Sequence, residues 1–160
     1  EVMGIAGNFP AAFTKTQLAI DYEPPRGGEV FISVNDGDKR NITAIARSIA
    51  RLGFSLVATT GTARALRASG IECEEVGKIH AGSHTILDRI ASGEIVLMIN
   101  TPFGSSTNTD GYEMRAACVR HGVSYCTTLA GAQALIAGME AVRETGLDVI
   151  ALQDLPQWEG

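Results

Sequence analysis

The sequence holds too few cysteines, in the wrong arrangement, for a disulfide framework or a zinc site. Cys73, Cys118 and Cys126 are odd in number and form no CxxC pair, which reads as reduced, buried thiols. Long apolar runs are also missing: stretches such as Ile95–Ile99 fall far short of the roughly 20 residues a membrane helix needs. The N-terminus lacks the basic, apolar, small-residue order of a signal peptide, so a cytoplasmic protein with no membrane partner is expected. Positive charge is scarce. With 13 Lys and Arg against 18 Asp and Glu, the net charge of −5 gives no global field to attract nucleic acid or anionic lipid. Any phosphate must therefore be held by a local site. What is present is 45% apolar and only 19% charged residues, which excludes disorder. At 160 residues the chain suits one α/β domain. Eighteen glycines against five prolines predict many tight strand-to-helix turns.

The first twenty residues read differently from the rest. Glu1–Asn8 is glycine-rich without periodicity, and Pro10–Ala19 predicts a helix with proline in its first turn and Phe13 and Leu18 as apolar contacts. The run Asp21-Tyr-Glu-Pro-Pro-Arg-Gly-Gly28 is linker-like and sets a boundary at residues 21–28. From Glu29 on, short β-branched runs alternate with helix-period segments, the sign of βα units and a parallel sheet. Strands are predicted at Val30–Val34, Phe54–Ala58, Ile95–Ile99 and Val123–Cys126, a third strand or extended segment at Ile71–Val76, and an edge strand at Val149–Leu152. Helices are predicted on the segment opened by Asp38, with Ile42, Ile45, Ala46, Ile49 and Leu52 on one face, and over Thr62–Ser69, His84–Ala91, Asp110–Arg120 and Leu129–Thr145. Gly53, Gly70 and Gly93 read as helix stops. The domain spans residues 29–152, followed by a tail over 153–160.

In an open parallel sheet, ligands bind beyond the carboxyl ends of the strands. Polar residues collect there: Asn35-Asp-Gly-Asp-Lys39, Thr59-Thr-Gly-Thr62, Gly77-Lys-Ile-His80, Asn100-Thr-Pro-Phe-Gly-Ser-Ser106 and Thr127-Thr128. Two ammonium groups, several hydroxyls and glycines that admit the backbone suit a phosphate. The threonine turn is the sharpest element, although threonines before a helix also serve as plain caps, and Lys39 and Lys78 each read equally as solvated surface residues. No loop matches a Walker A or GxGxxG pattern. His80 and His84 lack the HExxH glutamate, so no metal site is expected. Cys126 has no evident base beside it, and Asp36, Asp38 and Asp110 also read as caps. With no nucleophile–base set, the pattern favours binding over catalysis.

Six segments together carry a resemblance: Ser33-Val-Asn-Asp-Gly-Asp-Lys39, Ala58-Thr-Thr-Gly-Thr62, Lys78-Ile-His80, Asp88-Arg-Ile90, Ile99-Asn-Thr101 and Tyr125-Cys-Thr-Thr-Leu129. In order and spacing the chain resembles the C-terminal allosteric, methylglyoxal-synthase-like domain of the carbamoyl phosphate synthetase large subunit. Residues 1–20, with Phe9-Pro-Ala-Ala-Phe-Thr-Lys-Thr-Gln-Leu18, resemble the end of the ATP-grasp synthetase unit that precedes it. The resemblance implies an α/β, three-layer, Rossmann-like fold: a five-stranded, mostly parallel sheet with helices on both faces. It also implies a pocket at the strand ends that takes UMP or IMP as allosteric effector. Lys39, Thr59, Gly61, Thr62 and Lys78 match the phosphate-holding positions, Ser33, Asn100 and Thr101 the pocket wall, and Asp110 a position toward the ribose. Thr127 matches a threonine at an ornithine-binding interface. No catalytic residue, metal or cofactor is implied for this chain. ATP with Mg or Mn belongs to the full-length subunit, a ligase of pyrimidine and arginine biosynthesis whose further partners are its other domains and the glutamine amidotransferase small subunit. Pro102 replaces a phosphate-contacting threonine, and Ser105 and Ser106 replace basic residues, so donors and charge are lost.

Two other readings share the fold. Methylglyoxal synthase eliminates phosphate from dihydroxyacetone phosphate and needs a carboxylate base. The stretch matching its Gly-Asp reads Gly82-Ser83-His84, and its early His-Asp-x-x-Lys is replaced by Asp36-Gly-Asp-Lys39. The cyclohydrolase domain of purine synthesis lacks the N-terminal segment. A docking module with a vestigial pocket is the bland alternative.

Overall fold

The computed structural model describes residues 1–77, 85–102, 109–151 and 153, with Thr109 by its backbone alone. Five strands form one parallel sheet: β1 (Glu29–Ser33), β2 (Ser55–Thr59), β3 (Glu74–Val76), β4 (Ile95–Asn100) and β5 (Ser124–Cys126), in the order β3-β2-β1-β4-β5. Helix α1 (Phe9–Leu18) precedes them, and α2 (Ile42–Arg51), α3 (Thr60–Ala68), α4 (Ile86–Ser92), α5 (Thr109–His121) and α6 (Leu129–Thr145) follow in turn.

Alternation along the strands divides the core in two. Val30, Ile32, Leu56, Ala58, Leu97 and Ile99 face α2, α3 and α6, meeting Ile42, Ile49, Leu66 and Ile136. Phe31, Val57, Val76 and Met98 face the other way, against Ile86 and Ile90 of α4 and Met114 and Cys118 of α5. Burial on both faces explains why the strands read as continuous apolar runs. The expected three-layer architecture, a five-stranded parallel sheet with helices on both faces, is therefore the observed one.

Three local expectations differ. Residues 149–151 form no strand, and Val149 is fully exposed, since a strand there would bury nothing; Leu152 lies outside the described residues. Asp38 does not open α2. It closes a short 3-10 turn at Asp36–Asp38 that Asn35 caps, and α2 begins at Ile42. The glycine surplus serves mainly the other edge of the sheet: Gly53, Gly70, Gly93, Gly122 and Gly146 follow helices with positive φ, whereas Gly37 and Gly61 after the strands do not have it. A helix that must stop and reverse needs a left-handed residue; a strand entering a helix does not.

Helix α1 packs on α6, and the crossing is close because Gly138 leaves room for Thr14, whose hydroxyl donates to the Pro10 carbonyl at 2.9 Å.

Candidate functional site

Between β1 and β4 the connections leave in opposite directions, and such a switch point opens a crevice at the strand ends. A cavity of about 260 Å³ lies there. Ser33 ends β1, Thr59 ends β2, Asn100 ends β4, and Asp110 opens α5; all four line the cavity with Gly61. Its apolar wall is Phe31, Val76, Ile86 and Met114. Three strand ends and one helix start, far apart in sequence, thus present polar groups to one space beside an apolar wall.

The hydroxyls are linked. Thr59 Oγ1 stands 3.3 Å from Thr62 Oγ1 and 3.4 Å from Ser33 Oγ, and Val34 N–H donates to Thr62 Oγ1 at 3.2 Å. Thr62 is fully buried, so its role is to hold Thr59 from beneath. Thr59 is the residue before α3, yet its side chain makes no capping bond. This separates the two readings of the threonine turn: the hydroxyl is turned toward Ser33 and Thr62, and the first-turn amides of α3 receive nothing from it. Lys39 lies across Gly61, where a Cβ would come within 2.8 Å of its Nζ. Its ammonium is thereby brought to the start of α3, and it pairs with Asp36 Oδ1 at 2.5 Å.

The wall near β4 is pinned by backbone bonds. Thr101 N–H and Asn100 Nδ2 both donate to the Ser33 carbonyl, at 3.1 and 3.2 Å. Thr101 is buried, and its hydroxyl accepts from Asn35 N–H and Nδ2 at 3.1 and 3.0 Å. Thr101 therefore braces the β1 loop instead of facing the cavity. Lys78, Ser105 and Ser106 lie outside the described residues, as do His80 and His84.

Arg115 was not legible as a site residue. Its guanidinium donates to Asn100 Oδ1 at 2.9 Å and passes over Gly111, a cavity-lining residue one turn earlier. Helical side chains lean toward the N-terminus, so a glycine four residues before an arginine was the available signal. The arrangement brings a second cation to the cavity rim, held by a neutral amide.

Thr127 is elsewhere. It is exposed beside a groove of about 220 Å³ between α1 and β5, lined by Phe13, Gln17, Tyr22, Cys126 and Leu135 among others, with no charged side chain among the described residues. Burial raises the Tyr22 phenol and pushes the Cys126 thiol up to about 11, and Cys118 likewise to about 11. Cys73 is also raised by burial. All three are free thiols, protonated at neutral pH, which suits packing and not nucleophilic attack. No group of three or more His, Cys, Asp or Glu is placed to hold a metal ion among the described residues, and no described helix is long and apolar enough to cross a membrane.

The family model of the MGS-like domain matches residues 41–127, over half of the chain. The chain is 50% identical over 156 residues to the carbamoyl phosphate synthase large chain, C-terminal section, of Methanopyrus kandleri, covering 97% of this chain and 29% of that one. It is 42% identical over 154 residues to the carbamoyl phosphate synthase large chain of Myxococcus xanthus, covering 96% and 14%. The chain thus spans less than a third of the length of these curated relatives. Among solved structures, methylglyoxal synthase from Elizabethkingia anophelis shares the fold, with a TM-score of 0.56 and 18% identity over 70% of this chain and 78% of that one. With the switch-point sheet and the matched segment in agreement, the chain belongs to the MGS-like domain family.

Proposed function

We propose that the chain is the allosteric, effector-binding end of the large subunit of a glutamine-dependent carbamoyl phosphate synthetase, and that its switch-point cavity takes a nucleoside monophosphate such as UMP or IMP. The observation that carries the reading is the convergence of Ser33, Thr59 and Gly61 with the Lys39 ammonium at the uncapped start of α3. Hydroxyl donors, free first-turn amides and one cation suit a phosphate. Lys78 adds the second ammonium. The apolar wall of Phe31, Val76, Ile86 and Met114 accepts a flat base, with Asp110 toward the ribose and Asn100, held by Arg115, at the edge.

The chain itself performs no catalysis in this reading. Synthesis of carbamoyl phosphate, for pyrimidines and arginine, belongs to the remainder of the large subunit with ATP and Mg or Mn, and to the amidotransferase small subunit. Residues 1–20 are the end of the preceding synthetase unit, and the exposed Val2, Met3, Phe9 and Ile20 suit a surface that unit covers. Thr127 contributes to an ornithine contact there. Among the described residues that groove has no charged lining. An effector shifts the synthetase only by its preference for one conformation, typically ~1–3 kcal/mol.

Calorimetric titration with UMP, IMP and inorganic phosphate tests this. Saturable nucleotide binding, weakened about tenfold or more by Lys78→Ala or by Thr59→Ala, is the expected result, in line with ~1.5–3 kcal/mol for a hydrogen bond to a charged group. Nucleotide binding indifferent to both substitutions places the site elsewhere. No binding at all leaves a docking module, and turnover of dihydroxyacetone phosphate makes the chain a lyase.

A further inference from the structure

We propose that Asp36 is an internal competitor for the anion: its carboxylate occupies the Lys39 ammonium in the empty site, and a phosphate must displace it. This rests on the reading of the site given above and adds to it a residue that sets affinity from within.

The geometry is specific. Lys39 Nζ lies 2.5 Å from Asp36 Oδ1 and beside Gly61, between the carboxylate and the first turn of α3. The Lys39 side chain is 29% exposed and the Asp36 side chain 88%. The ammonium is therefore held against the protein while the carboxylate is free to swing out. The 3-10 turn that carries both residues is pinned at Asn35, which accepts from Asp38 N–H, donates to Asp38 Oδ2 at 2.7 Å and donates to Thr101 Oγ1 at 3.0 Å. Asp38 is used inside the turn. Asp36 alone of the two carboxylates is turned to the cation.

A phosphate at α3 that takes the Lys39 ammonium meets one of two conditions. Asp36 leaves, and its ion pair is lost, or it stays, and two anions share one cation. Both subtract from affinity, and both vanish when the carboxylate becomes an amide of the same shape. Because the carboxylate is tethered, it competes at an effective concentration set by the short turn. A weak external anion with no further contacts loses to it, whereas a phosphate that also meets the Thr59 hydroxyl and the α3 amides prevails. An exposed pair of this kind is a small barrier, so the gain on its removal is a few-fold.

The test is titration of the full 160-residue chain with UMP and with inorganic phosphate, comparing wild type, Asp36→Asn, Asp36→Ala, Lys39→Ala and the Asp36→Asn, Lys39→Ala double variant. Asp36→Asn and Asp36→Ala are each expected to bind about two- to fivefold more tightly than wild type. The gain disappears in the Lys39→Ala background. Unchanged or weaker binding in both Asp36 variants overturns the proposal, and if Lys39→Ala still weakens the wild-type interaction, the phosphate site itself stands. A gain that persists without Lys39 also overturns it, since the carboxylate would then act through the general field. If wild type shows no binding and Asp36→Asn does, the proposal is supported directly. If neither binds, it falls together with the site reading. Urea midpoints of the variants, expected to match wild type at this exposed turn, separate a binding effect from a folding one.

Discussion

Thr59 shows that a hydroxyl can stand before a helix without capping it. A threonine before a helix ordinarily caps it, but here the side chain turns to Ser33 and Thr62 and leaves the first turn of α3 open. The neighbouring Gly61 matters for space, since its missing Cβ is where Lys39 reaches the same turn. Gly61→Ala would place a Cβ 2.8 Å from Nζ and 3.5 Å from Cε of Lys39. The flexible lysine moves aside at little cost, so the unfolding free energy from urea titration should stay within about 0.5 kcal/mol of wild type. UMP affinity should fall several-fold, which calorimetry reads directly; an unchanged affinity would show that Lys39 does not act from this position. The sequence identified Gly61, Thr59 and Lys39 as neighbours of strand ends. It could not show that the lysine crosses the glycine, because that contact joins two loops 22 positions apart in the chain.

The elements depend on how closely they approach. The α1–α6 crossing is set at Gly138, where a Cβ would collide with Thr14 Oγ1 and lie 3.4 Å from the Pro10 carbonyl. Glycine inside a helix costs about 1 kcal/mol against alanine, so an exposed Gly→Ala change would stabilise. At position 138 the collision with the buried Thr14 and the α1 backbone outweighs that gain, and Gly138→Ala is expected to destabilise by ~1–3 kcal/mol. Chemical denaturation measures this, and Thr14→Ala introduced with it should recover part of the loss. A stabilised Gly138→Ala would show that α1 moves away freely. Elsewhere Arg89 of α4 bonds Glu29 of β1 at 3.0 Å and also pairs with Glu74 of β3, tying the helix to two strands. Helix periodicity located α4 but carried no sign of these partners, which lie 60 and 15 residues away.

At the scale of the molecule, the positive charge of this acidic chain is unevenly distributed along the sequence. Residues 39–71 contain six of the 13 cations, Lys39, Arg40, Arg47, Arg51, Arg64 and Arg67, and none of the 18 carboxylates. The threonine turn lies inside this segment, although three of its cations pair with carboxylates from elsewhere in the chain, Lys39 with Asp36, Arg51 with Glu140 and Arg67 with Glu75. A buried thiol gives a pH response of the whole fold, and Cys118 is the one fully buried among three, Cys73 and Cys126 being half-buried. Cys118, fully buried against Met98, has its thiol raised from 9.0 to about 11 by burial alone. The unfolded chain then loses that proton near 9 while the native state keeps it. The thiol's contribution is thus present below pH 9 and is lost as pH rises from 9 to about 11, at up to ~1.4 kcal/mol per pH unit. Urea unfolding at about pH 8 and about pH 10.5 should show a decline that is smaller in Cys118→Ala. Equal declines in the two proteins would remove Cys118 as its source.

By itself the sequence determined the alternation of elements: apolar runs at Val30, Leu56 and Ile95 marked strands of a parallel sheet, and the amphipathic pattern of Ile42, Ile45 and Ile49 marked a helix that covers it. It also marked the five polar loops, because composition at a strand end is local. Only the tertiary structure decided which loops meet. The order β3-β2-β1-β4-β5 places the split between β1 and β4, and so gathers Ser33, Thr59, Asn100 and Asp110 while sending Thr127 to another groove. It decided, too, that Thr101 is a brace and Arg115 a rim cation, since each role is set by a partner distant in sequence. Local patterns fix what an element buries; strand pairing, a non-local choice, fixes which residues share a site.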